Sequence, residues 1–222
     1  TDGKPGHLRQ AQAAAEAVQR VLAKKGIKAQ CEPIEVKFKN GLAKFAFGVA
    51  TLLSGRYNCQ GCLWCFRKFL KPGCSERLLH TNADIVISCG SSLAGVASVL
   101  AQENNAKAIS VMRPGVLSPG RFAAVVIPRH DSPPKMRNIV VTEGALNLVD
   151  QRYLEEESKG LLESLGPLFQ AGALNIGLLL GGDTKHFTLS LEAVKTILEQ
   201  VKDAAEKLNA FILVTTSRRT PK

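Results

Sequence analysis

The sequence predicts an α/β protein with mostly parallel sheets, and three observations carry that prediction. Short runs rich in Val, Ile and Leu alternate with stretches of helical periodicity along most of the chain. Glycine-rich or polar residues follow the strand-like runs, where βα turns belong. With 222 residues, 45% of them hydrophobic, the chain can bury a real core as one large domain or two small ones, which excludes a disordered chain.

In order, TDGKPGH opens as a Gly/Pro loop, and residues 8–25 read as a helix with Leu8, Ala11, Ala15, Val18 and Leu22 at helical spacing. Gly26 is a natural stop, and residues 27–36 alternate like a strand. Residues 41–53 and 64–70 read as short amphipathic helices. Strands are predicted at 83–88, 106–112, 123–127 and 138–142, with an apolar helix at 93–103 after CGSS. These elements form an N-terminal domain over 1–150, with helices on both sheet faces. Residues 151–173 read as a linker helix, and 174–222 begin a second domain with strand 175–180, helix 191–208 and strand 211–215. A Gly-rich loop leading a helix calls for a strand before it, and a strand ending in TTSRRT should feed a helix. The sequence therefore reads as a piece of a longer chain whose second domain is truncated.

The net charge of +10 is unevenly spread. Residues 36–80 carry eight Lys/Arg against the single acid Glu76, together with Phe38, Phe45, Phe47, Tyr57, Trp64, Phe66 and Phe69. Basic sequence interleaved with aromatics suits an anionic membrane surface or a nucleic acid. No RRM, KH or helix-turn-helix pattern is present, so nucleic acid is not a predicted partner. No apolar run reaches the roughly 18–20 residues of a spanning helix.

Four of the six cysteines crowd together as Cys59, Cys62, Cys65 and Cys74. Thiolates at short spacing suit zinc or an iron–sulfur cluster. On one helix the first three would spread over about 120°, so a loop would have to converge them. Buried thiols among aromatics, or lipidation near a membrane, are the alternatives.

Polar or Gly-rich loops fall at five strand ends, at residues 2–7, 90–92, 129–131, 181–185 and 215–220. Each precedes or caps a helix, where free N–H groups favour anions by about 0.3–1 kcal/mol apiece. Converging loops with arginines could hold a diphosphate where one loop could not. Gly181 and Gly182 allow close approach of a phosphate or sugar, with Asp183 and Thr184 beside them; a plain tight turn capped by Asp183 is the alternative. Ser217, Arg218 and Arg219 offer bidentate phosphate contacts, or a solvated turn. His7, beside Lys4, is a candidate general base or a capping residue. His130 lies between Arg129 and Asp131. No GxGxxG or P-loop motif is present, which argues against dinucleotide or ATP use.

DGKPGH with Gln10, the strand-end CGSS, PRHD, VTEGALN, LLLGGDTKHF and VTTSRRTP together resemble the elongated-mitochondria fission family, in order over nearly the whole chain. That resemblance implies two Rossmann-like domains of the GT-B glycosyltransferase type facing a cleft. It implies a donor side of Gly181, Gly182, Asp183, Thr184, Ser217, Arg218 and Arg219. Asp2, Gly3, Lys4, Gly6 and His7 would face them from the acceptor side, and the resemblance supplies no established catalytic residue. On residue chemistry alone, His7 is the candidate base with Lys4 or Arg218 and Arg219 as charge stabilisers, and Gly90, Ser91, Ser92, Arg129 and His130 are further acceptor-side candidates. Expected partners are a nucleotide-sugar donor, a lipid-linked acceptor on an anionic membrane and, as in the plant member, a recruited protein. No cofactor is required for such transfer. The expected location is the cytoplasm, peripheral to the inner membrane in a bacterium, or the mitochondrial outer surface in a eukaryotic relative. The cysteine cluster is not part of the resemblance. A non-enzymatic adaptor on a membrane surface is the competing expectation.

Overall fold

The computed structural model describes residues 1–54, 63–166, 174–183, 187–217 and 220. The chain divides into two compact units, Thr1–Val149 and Asp150–Lys222.

The first unit is a Rossmann-like layer of four parallel strands in the order β1-β2-β3-β4: Ile85–Cys89, Lys107–Val111, Ala124–Pro128 and Ile139–Thr142. Their β-branched runs suit a sheet covered on both faces. Helix α1 (Pro5–Ala23) and helix α5 (Ala94–Glu103) cover opposite faces. Period-2 alternation shows why: Ile87, Cys89 and Val111 pack with Ala11 and Ala14 of α1, whereas Val86 and Ala108 pack with Ala94 and Ala101 of α5. Register fixes the strand ends in line, with Cys89 opposite Val111 and Pro128 opposite Thr142.

The basic segment forms its own small core against α5. Helix α2 (Gly41–Leu53) starts where the Asn40 side chain accepts from the Ala43 amide at 2.7 Å. Helices α3 (Trp64–Phe69) and α4 (Pro72–Leu79) follow. Phe47 lies 5.8 Å from the Phe38 ring and 5.9 Å from Phe69, both edge-on, and 6.2 Å from Phe66. Phe66 and Leu70 are fully buried, each removing about 1.5–3 kcal/mol of apolar exposure. A single antiparallel bridge, Phe38 to Leu70, ties the segment's two ends.

Two expectations are corrected here. Residues 27–36 alternate but form no strand: their backbone bonds go to Leu22, to the Gln19 side chain and to Thr1, scattered contacts that make no ladder. Helix α4 falls where the sequence predicts no element; Pro72 sits in the first helical turn, where its missing N–H costs nothing.

In the second unit, α6 (Gln151–Leu165) is capped by Asp150, whose side chain accepts from the Tyr153 amide at 2.9 Å. Strands β5 (Asn175–Leu180) and β6 (Phe211–Thr216) pair in parallel across helix α7 (Leu191–Leu208). Ser190 caps α7, and Asn209 ends it in the left-handed region.

Candidate functional site

The strongest cluster of polar side chains grows from the loop before α1. Asp2 and His7 lie five residues apart on either side of Pro5, whose fixed φ starts the helix and turns His7 back over the loop. His7 Nδ1 lies 2.9 Å from Asp2 Oδ1 and 3.0 Å from Oδ2. The Lys4 ammonium is 3.3 Å from Asp2 Oδ2, and its amide donates to Oδ1 at 3.3 Å. From the end of β1, the Ser92 hydroxyl donates to Asp2 Oδ2 over a long 3.4 Å. The Asp2 side chain is 12% exposed and that of His7 20%, so both are sheltered but not sealed from solvent.

Burial alone would raise the Asp2 carboxyl. The hydrogen bond from His7, with the Lys4 amide and ammonium, outweighs it and holds the carboxyl below its ordinary value. The negative charge at the start of α1 is thus the protein's own. Beneath it Cys89 is buried, and burial together with the Asp2 carboxylate pushes its thiol up to about 11.

Two glycines are required by this geometry. Gly90 has φ +85°, and a Cβ there would come within 2.8 Å of His7 Cε1. Gly3 has φ +77°, and a Cβ there would strike Glu35 Oε1. Gly6 has open space around it and carries no such demand. Ser91 is exposed and packs beside Gly115 rather than on Asp2. Next to Ser91 and Ser92 lies a small cleft of about 40 Å³, with Lys44 and Thr51 of α2 and Gly95 of α5 in its wall.

Not every expected residue joins this cluster. Arg129 and His130 occupy an exposed 3-10 turn after β3, where Arg129 meets Glu143 at 2.6 Å. His130 Nε2 is 3.8 Å from Asp131 Oδ1, beyond hydrogen-bond range, so Asp131 does not orient the ring.

In the second unit the strand-end loops adjoin each other. The Ser217 amide donates to the Leu180 carbonyl at 3.1 Å and to the Thr220 hydroxyl at 2.8 Å. That hydroxyl also donates to the carbonyls of Leu180 and Gly181. Gly181, Gly182 and Ser217 are thereby gathered at one edge. Asp183 accepts from the Leu189 amide at 2.8 Å, organising the loop, while Ser190 rather than Asp183 caps α7. Thr184, Arg218 and Arg219 lie outside the described residues.

For the cysteine cluster, Cys59 and Cys62 also lie outside them. Cys65 is on α3, and the Cys74 thiol approaches the Lys71 carbonyl at 3.2 Å. Among the described residues, no group of three His, Cys, Asp or Glu could hold a metal ion.

Sequence reasoning missed Ser92 as a partner of Asp2, Glu35 beneath Gly3, and Thr220 as the bridge between loops. The hydroxyl in VTTSRRT was visible, but its partners lie about forty residues away.

Strand-end loops on parallel sheets flanked by helices, with a carboxylate–imidazole pair at one helix start, define a Rossmann-like α/β protein. A family model described as Mitochondrial fission ELM1 matches residues 5–222, and the chain belongs to that family. No curated protein and no solved structure matches the chain.

Proposed function

We propose that this protein takes part in transferring a sugar from a nucleotide-sugar to a membrane-associated acceptor, as a metal-independent glycosyltransferase of the GT-B type. The His7–Asp2 pair carries the reading. Asp2 accepts from Nδ1–H, which fixes the tautomer and leaves the Nε2 lone pair for the proton of an acceptor hydroxyl. As that oxygen attacks the anomeric carbon, the bond to the diphosphate breaks and the departing charge needs stabilisation. Gly181, Gly182, Asp183 and Ser217, with Thr184, Arg218 and Arg219, are the residues we assign to the diphosphate. Neither role requires a bound metal. Lys4 completes the acceptor side by holding Asp2 charged.

Calorimetric titration against UDP-, GDP-, CMP- and ADP-sugars tests the proposal. One donor should bind, and His7→Ala should slow transfer by about 10²–10⁴-fold while leaving donor binding intact. No binding to any donor by folded protein would overturn it. The description of the family, mitochondrial fission, favours a second reading in that case, a membrane-surface adaptor that recruits a partner protein.

A further inference from the structure

We propose that the outward face of α2 is a docking surface for an anionic lipid bilayer, into which it inserts shallowly while its inner face walls the cleft beside Ser91 and Ser92. The inference deepens the proposed function by naming where the acceptor membrane would meet the protein. Vesicle binding needs no sugar donor, so its failure and the failure of transfer are separate results.

Helix α2 has two apolar faces, and the fold uses only one. Phe47 and Thr51 point into the core and are buried. At 100° per residue, Leu42, Phe45, Val49, Leu52 and Leu53 share a sector about 100° wide on the opposite side. Leu42 is 76% exposed, Phe45 69% and Leu53 79%. A second large ring, Trp64 at the start of α3, is 60% exposed, and the Lys68 ammonium sits 4.5 Å above it. Single exposed apolar residues are ordinary, but a stripe this continuous marks a contact surface.

Charge identifies the occupant. Lys39 precedes α2, and Arg67, Lys68 and Lys71 lie on or beside α3. Neither helix contains an acid, and Glu76 nearby is 3.8 Å from Arg67. An exposed Leu and Phe stripe on α2, with exposed Trp64 and cations on the adjoining α3, matches the headgroup boundary of an anionic leaflet, where a helix sinks about 5–10 Å. No helix among the described residues is long and apolar enough to cross a membrane, so the contact is one of docking.

The surface is already built. Asn40 caps the start of α2, and at its end the Arg121 guanidinium donates to the carbonyls of Thr51 at 2.6 Å and Leu52 at 3.2 Å. A preformed helix meets the bilayer without an ordering cost. Its other side, with Lys44 and Thr51, faces Ser91, Ser92 and Gly95 across the cleft. One helix diameter of about 10 Å then separates the lipid from that cleft.

Trp64 is the only tryptophan of the chain, so its fluorescence reports the contact directly. Mixed with phosphatidylcholine vesicles containing phosphatidylglycerol, the protein should show a blue shift and quenching by brominated lipid. Pure phosphatidylcholine should give neither. Phe45→Asp with Leu53→Asp, both at exposed positions, should weaken vesicle binding by about tenfold or more. Lys39→Gln or Lys68→Gln should each cost about fivefold and reduce the salt dependence. Leu161→Asp, an exposed apolar position on α6, should change nothing. Unchanged melting curves exclude misfolding of the variants. Binding unaffected by the double substitution, or an unmoved Trp64 spectrum with anionic vesicles, would overturn the proposal. So would a wild type that is dimeric and binds no vesicles but becomes monomeric on Phe45→Asp/Leu53→Asp, since the face would then join two copies of the chain.

Discussion

Adding one methyl group at Gly90 tests the geometry of the His7–Asp2 pair. Gly90→Ala places a Cβ 2.8 Å from His7 Cε1 and 3.1 Å from Nδ1. Ordinary contact begins near 3.4 Å, so the ring or the backbone must yield by roughly 0.6 Å. The bonds at risk are 2.9 and 3.0 Å long, and such a shift takes them out of hydrogen-bond range. Holding alanine at φ +85° costs about 1–2 kcal/mol on its own. Loss of the bond adds about 0.5–1.5 kcal/mol. The expected destabilisation is therefore about 1.5–3.5 kcal/mol, read from urea unfolding. Gly26→Ala supplies the control, because Gly26 has φ +73° with open space around it and should cost the backbone contribution alone. In a double-mutant cycle, Gly90→Ala in a His7→Ala background should cost no more than the control. Equal effects of Gly90→Ala and Gly26→Ala, with zero coupling to His7, would refute the reasoning.

Three further outcomes are expected. Asp2 is held below its ordinary value, so its folded pKa lies below its unfolded one; its contribution is complete above the unfolded pKa of about 3.9 and lost as pH falls through the folded pKa. The stability gap between wild type and Asp2→Asn in urea should accordingly be full at neutral pH and shrink below about pH 4; a pH-independent gap contradicts the pairing. The Cys89 thiol, buried and raised to about 11, should resist thiol reagents at neutral pH until urea unfolds the chain, while exposed Cys31 reacts at once, as timed labelling with mass spectrometry would show. Arg121→Ala should destabilise the first unit by about 1–2 kcal/mol and raise hydrogen exchange in the last turn of α2, because it removes two donors from the Thr51 and Leu52 carbonyls; unchanged exchange there would show that the guanidinium does not hold the helix end.

Local signals served the reading well where punctuation was strong. Helix α2 over 41–53, strand β5 over 175–180 and helix α7 over 191–208 fall where the apolar period places them, and the structure adds Asn40 and Ser190 as the caps of the two helices. The same reasoning erred at 27–36, where alternation was present but a ladder was not, and at α4, where Pro-Gly opened a helix. His7 and Asp2 could be read as members of one loop. His130 beside Asp131 offered a second pairing, though adjacent side chains rarely face each other, and the geometry differs: 2.9 Å with partial burial for His7 and Asp2 against 3.8 Å on the surface for His130 and Asp131.

The sequence by itself therefore determined the α/β class, the order of most elements, the basic aromatic segment and the family. All of these are written in period, turn residues and motif order, which act over a few residues. Only the tertiary structure decided which distant groups meet. Ser92 reaches Asp2 across ninety positions because β1 ends beside the start of α1. Gly90 is confined because the His7 ring occupies the space its side chain would need. Helix α2 presents its second apolar face outward because Phe47 and Thr51 commit the first to the core, and one helix cannot bury opposite sides against a single layer.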